Sequence, residues 1–401
     1  MTPPSDDTSP DAIPTGPGAD SPGAPASEAA GPGSALATSS GALGSDPEPV
    51  DAEALPPMVD WAFARATGRR LVNPGPTVTA AEATEIVEQI RAAAAAAVGP
   101  VAETSRLGAP GAAPEALVVD RGTWIDLNVE SLAALMAPVF AKVAQDRKLP
   151  QSAKSLAVGS KITGAEAGAL MAFMASKVLG QYDLAPQGTP RLLLVAPNVV
   201  HVQRELDVDA ADFRAWVCMH EETHRVQFTA VPWLRDHMIA TAGTLASELT
   251  PTPAELATRM QDIVKRLPEA LGSGGAGLAD LFASAEQRAR IAEVTAVMSL
   301  LEGHADVVMD DVGPKVIPSV AQIRAKFTAR RKGMGAADKL LRRLLGLEAK
   351  MAQYRDGAAF VRGVTDQVGI DGFNVIWTSP ETLPKPAEIL DPQAWVARVH
   401  A

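Results

Sequence analysis

Cysteine is almost absent from this sequence: Cys218 is the only one in 401 residues. An internal disulfide is therefore impossible, as is a structural zinc site built on several thiolates, and the pattern fits a reducing compartment. Any metal must be held by histidine and carboxylate. Histidine is itself rare, with six in the chain, and aromatic residues make up 4% of it. No basic residue precedes Arg65, so the N-terminus lacks the charged region of a secretory signal. Apolar runs such as "AAAAAAVGPVA" and "RLLLVAPNVVHV" fall short of the roughly 20 residues that a membrane span needs. A formal net charge of -11 leaves little basic surface to displace counterions from phosphate, which excludes a general nucleic-acid binder. The expectation is a soluble, cytoplasmic protein with neither a nucleic-acid nor a membrane partner.

What the sequence does have is apolar content, 47% of its residues, enough for a large core. The first 55 residues do not share it. They are Pro, Gly, Ala, Ser and Asp with few large side chains, the composition of a disordered acidic tail. Residues 56–401 form the expected folded domain. Within it "TAAEATEIVEQI" opens on a threonine with a glutamate three positions on, a helix-start signature. Helical periodicity recurs in "NVESLAALMAPVFAKV", "TGAEAGALMAFMASKV", "DAADFRAWVCMHEETHRVQFTA", "TPAELATRMQDIVKRL", "SAEQRARIAEVTAVMSLLEGHADVVMDDV" and "KLLRRLLGLEAKMAQYRDGAAFV". One segment, "RLLLVAPNVV", reads as β-strand, broken at Pro197. The fold class is mainly α with a small β element.

The chemistry concentrates in "VCMHEETHRVQF". On a helix, His220 and His224 lie about 40° apart around the axis and one turn apart along it, so both rings can reach one ion. Glu221, about 100° from His220, stands at the edge of that face, where a carboxylate can take a proton from water activated by the metal. Glu222, about 200° round, points away toward a salt bridge. Asp209 is placed to cap this helix, Pro232 to end it, and Phe213, Trp216, Val217 and Phe228 to pack it. A catalytic zinc needs a third protein ligand and an open position. Gln227 and Ala230 stand where an extended motif would place Gly and His, so the third ligand must come from elsewhere. The apolar segment "MSLLEGHADVVMDD" offers Glu302 as ligand, with Asp306 one turn on as the acceptor that orients a ligand imidazole. His304, on the opposite face, competes with Glu302 and is read as a packing histidine.

"HEETH" followed by "EGHAD" resembles the pairing of the glutamate-zincin metallopeptidases. More specifically, "GQYDL", "WVCMHEETHRVQFTAVPWLRDHM", "LEGHADVVMD", "GLEAKMAQYRDGAAFV" and "DGFNVIWTSPETLP" are similar to an actinobacterial family of zinc-dependent metalloproteases, or hydrolases associated with coenzyme F420 biosynthesis. The resemblance runs from about residue 59 to the C-terminus and implies a zincin-like fold with Zn²⁺ as cofactor. The separation of about 78 residues between His224 and Glu302 is long for the group and implies helical insertions between them.

His237 and Tyr354 are the remaining candidates to stabilise an oxyanion, with His237 preferred. The strand "RLLLVAPNVVHV" is a candidate edge for pairing with an extended peptide, or else a core strand. The basic run from Ile323 to Gly346 reads as a helix with a solvated face. The expected activity is hydrolysis of a peptide or protein substrate by a single zinc site. A hydrolase of a small amide would use the same residues, and a non-catalytic interaction protein would show a closed four-ligand shell that includes His304 or His237.

Overall fold

The computed structural model describes residues 57–108, 111, 115–146, 153–249, 284–332 and 347–401. The expected tail, all of "TPAELATRMQDIVKRLPEAL" and the leucine-rich stretch around Arg342 lie outside the described residues. The chain divides into Met1–Glu53 and Ala54–Ala401, and every element below belongs to the second unit.

Local sequence signals start the helices where the pattern requires. Helix α1 (Trp61–Leu71) begins on Asp60, whose carboxylate accepts from the Phe63 amide. Helix α2 (Ala80–Ser105) opens on the Thr79–Glu82 capping box. Strand β1 (Leu117–Val119) follows, then α3 (Arg121–Asp146), α4 (Ala153–Ala175), β2 (Gly180–Asp183) and β3 (Arg191–Val195). Helix α5 (Ala196–Leu206) starts directly from β3, because Pro197 falls in the first turn, where its missing N–H costs nothing. Helices α6 (Ala210–Ala230), α7 (Pro232–Leu249), α8 (Ala285–Val316), α9 (Val320–Lys332) and α10 (Leu347–Phe373) follow, and after three short 3₁₀ turns comes α11 (Pro392–Val399). Gly369, at φ +71°, breaks the helical path of α10 in a conformation that glycine adopts without strain.

The strands form one small sheet in the order β1-β3-β2, with β1 parallel and β2 antiparallel to β3. "RLLLV" is thus the central strand, paired on both sides, so of its two readings the core strand holds and the free edge does not. The rest of the predicted strand, from Ala196 on, is helix. Alternation along β3 sends Leu192 and Leu194 to the main core and Leu193 and Val195 to a second one. The second core holds Trp124, Ile125 and Val129 of α3 with Met171 and Ala175 of α4. The main core gathers α2, α6, α8 and α10, with Phe213, Leu300 and Phe360 fully buried.

Helix α3 departs from another expectation, since Arg121–Val143 is long and apolar enough to cross a membrane by length and composition. Its polar groups have partners in this fold: Asp126 pairs with Arg69, Asn128 accepts from Gln181, and Ser131 donates to Asp183.

Two helix crossings run at backbone contact. A Cβ on Gly168 of α4 would lie 2.3 Å from the Ala64 carbonyl oxygen of α1. A Cβ on Gly303 of α8 would lie 2.2 Å from the Gly357 carbonyl carbon of α10, and one on Gly357 would lie 1.9 Å from the Ser299 oxygen. The second crossing sits beside Glu302.

Candidate metal centre

Helix α6 carries most of the site and runs through the interior. Asp209 caps it by accepting from the Asp212 amide, and Phe213, Trp216, Val217, Cys218 and Met219 bury its first turns. Burial pushes the Cys218 thiol up to about 12, so it stays protonated and inert.

His220 and His224 face each other with their Nε2 atoms 3.2 Å apart. Glu302 reaches them from α8, its Oε2 at 3.5 Å from His220 Nε2 and its Oε1 at 3.7 Å from His224 Nε2. Donors at the corners of a tetrahedron around zinc, with bonds of about 2.0–2.1 Å, stand roughly 3.3 Å apart, so this set fits the ion. Among the described residues these three form the group that could hold a metal. Among the described residues no fourth histidine or carboxylate joins the group.

The rings are held differently. His224 Nδ1 lies 3.0 Å from Gln227 Oε1, whereas His220 Nδ1 faces the Met309 sulfur at 3.3 Å. Burial lowers His224 below the usual imidazole range. Burial also works against a proton on His220, but the hydrogen bond and charge of Glu302 outweigh it and raise that ring to about 9. Without metal, a proton on His220 therefore balances the Glu302 carboxylate.

Glu221 is buried beside this cluster, and burial pushes its carboxyl up to about 7, with the Glu302 charge adding to the rise. Among the described residues its carboxylate has no hydrogen-bond partner. It lies against Gly180 of β2, where a Cβ would stand 2.5 Å from Glu221 Cγ. The strand can pass this close only because position 180 is glycine. Glu222 turns to the other side of the helix and is bound through both oxygens by buried Arg225, with Arg225 Nε 2.6 Å from Glu222 Oε2.

Several predicted residues take other places. Asp306 makes no hydrogen bond to either ring among the described residues: it stands one turn beyond Glu302 on the more exposed flank, its charge acts on both His220 and His224, and an oxygen lies 3.7 Å from Arg324. His304 is 1% exposed, stacked on Phe373 and edge-on to Trp377, and burial holds it down to about 3. Its Nδ1 is 2.9 Å from Gln227 Nε2, and the ring stands outside the donor group of His220, His224 and Glu302. His237, on α7, is edge-on to Trp233 and outside the donor set. Tyr354 falls within α10, but its side chain lies outside the described ones. The long interval between the ligand helices contains α7, in line with the insertions expected there. Sequence reasoning missed two participants, Gln227 and Gly180. The i+3 position of Gln227 after His224 was the available signal for the first, and for the second it was the place of "GQYDL" among the segments that carry the resemblance.

Among curated proteins none matches the chain. A crystal structure from Chloroflexus aurantiacus, described as that of a candidate hydrolase with a novel fold, aligns over 85% of this chain and 99% of its own at 29% identity, with a TM-score of 0.61. The zincin-like metallopeptidase family matches residues 59–396, nearly the whole of the unit that carries His220, His224 and Glu302, and the chain belongs to that family.

Proposed function

We propose that the protein is a zinc-dependent metallopeptidase in which His220, His224 and Glu302 hold the ion and Glu221 is the general base. The observation that carries this reading is the pairing of a three-donor set with a buried carboxylate that has no hydrogen-bond partner among the described residues. A zinc ion bound there would supply Lewis acidity, acidifying water and polarising a carbonyl. Glu221, with a pKa near neutrality, can accept a proton from the attacking water and return it to the leaving amine. Gly180 keeps the β2 backbone against that carboxylate. Strand β2 is an edge strand of the sheet, so an extended peptide pairing along it would pass Glu221 at Gly180. This favours peptides over small amides as substrates. The coenzyme F420 association in the sequence resemblance names no bond to be cut, and the proposal does not depend on it.

The test is metal content by mass spectrometry on untagged protein, followed by turnover of a quenched fluorescent peptide library. The expected result is one zinc per chain, lost in His224→Ala and kept in Glu221→Gln, with peptide cleavage abolished in the first and reduced by at least about 10²-fold in the second. A wild-type protein that takes up no zinc after reconstitution would overturn the reading.

A further inference from the structure

We infer that Gln227 is the positioning residue of the metal site: its side-chain amide fixes which nitrogen His224 presents and ties the helix of that ligand to the helix of Glu302. The inference deepens the metallopeptidase reading and rests on it for the identity of the ligands. The hydrogen-bond geometry itself stands without that reading.

Gln227 follows His224 by three residues on α6 and is 0% exposed. Its amide meets three polar atoms. Oε1 is 3.0 Å from His224 Nδ1, while Nε2 is 2.9 Å from the Leu301 carbonyl oxygen and 2.9 Å from His304 Nδ1. A carbonyl oxygen only accepts, so the nitrogen end of the amide must face Leu301, and the oxygen end must face His224. His224 can then satisfy that oxygen only by donating from Nδ1. Its proton is placed there, and the lone pair on Nε2 is directed at His220 and Glu302. The second amide hydrogen goes to His304 Nδ1, which makes His304 an acceptor in this network. Phe373 and Trp377 hold its ring in place.

The two acceptors on α8 flank the third ligand. Leu301 precedes Glu302 and His304 comes two residues after it, so one amide holds α8 on both sides of the carboxylate that completes the donor set. His220 is met by Glu302 at Nε2, but among the described residues its Nδ1 faces only the weak acceptor Met309 Sδ. The protein therefore fixes one histidine and the glutamate as a unit and leaves the other histidine less constrained.

Two variants of the full chain separate the parts of this inference. Gln227→Met keeps the length and removes every hydrogen bond. Gln227→Glu keeps the acceptor for His224 and removes the donors to α8. The first readout is the histidine tautomer in the metal-free protein, from long-range proton–nitrogen correlation spectra of ¹⁵N-histidine-labelled chain. The second is the dissociation constant for Zn²⁺ alone. The wild type should show His224 protonated on Nδ1, Gln227→Glu should retain that signature, and Gln227→Met should lose it. Zinc affinity should fall about 10- to 100-fold in Gln227→Met. An unchanged tautomer and affinity in Gln227→Met would overturn the inference. Should Gln227→Met fail to fold, a Gln227→Glu chain lacking the Nδ1 signature would overturn it equally. A wild type that shows the fixed tautomer but binds no zinc would remove the metal reading, and the ligand-positioning task with it, while the hydrogen bond survived.

Discussion

Helix α6 buries two consecutive glutamates and treats them in opposite ways. Glu222, on the core side, is gripped by Arg225 through both oxygens, with both side chains almost fully buried. Glu221, about 100° round the helix, is buried nearly as deeply without a hydrogen-bond partner among the described residues. A buried charge that is paired serves structure, because breaking the pair is costly. A buried carboxyl left unpaired shifts toward its neutral form and becomes able to move a proton near neutral pH. The residue type is the same in both cases, and its position around the helix decides between the two outcomes.

The sharpest test of this difference is Glu221→Gln. Peptide turnover should fall by about 10²- to 10⁴-fold with zinc content unchanged, the loss expected when a general base is removed. Arg225→Met probes the other side and should cost about 3–5 kcal/mol in urea denaturation, because Glu222 is then buried alone. Adding Glu222→Leu to it should recover most of that loss.

Gly180→Ala brings the two sides into the same experiment. The added methyl displaces the Glu221 carboxylate, and turnover should drop by up to about 10²-fold, the scale of a 1 Å misplacement. Stability should fall by only about 1–3 kcal/mol, as for other overpacked sites.

The pH dependence of the metal-free protein follows from the sign of the Glu221 shift. Its folded value of about 7 lies above the ordinary 4.5, so its contribution to stability is fully present below 4.5 and is lost as pH rises through 7. Melting temperatures of the wild type and Glu221→Gln, referenced to each other, should run parallel below about pH 4, with the variant gaining relative to the wild type between pH 4.5 and 7 and keeping that gain at pH 8. The smallest effect belongs to Asp306→Asn, which should leave zinc affinity within about twofold, since that half-exposed carboxylate faces Arg324 across a partly exposed pair.

How much of this was legible in the sequence varied with how local the governing physics is. The caps at Thr79 and Asp209 and the shared face of His220 and His224 follow from helical geometry, and the structure has them as expected. Glu302 was reachable because a carboxylate in an apolar helix demands a partner. The sheet was harder to read. Pro197 can break a strand or start a helix, and only tertiary pairing shows that β3 stops at Val195 and lies in the middle of the sheet. Strand β2 is four residues without apolar alternation, and its edge position depends on what lies beside it. Gln227 registered only as a departure from a longer motif, because its partners Leu301 and His304 are more than seventy residues away. Asp306 acts on the rings through its charge and not through the hydrogen bond expected of it, because spacing gives a residue's face without saying that Gln227 and Met309 already stand at the Nδ1 atoms.

The glycine contact between α8 and α10 has a consequence for accuracy. Gly303 adjoins Glu302 in sequence, and its backbone rests directly on that of Gly357. The depth to which Glu302 reaches toward the histidines is therefore gauged from behind, by a stop that never meets a substrate. Two positions with no side-chain chemistry of their own set the tolerance of the candidate metal site, and any side chain added at either would be felt among its three donors as an error of alignment.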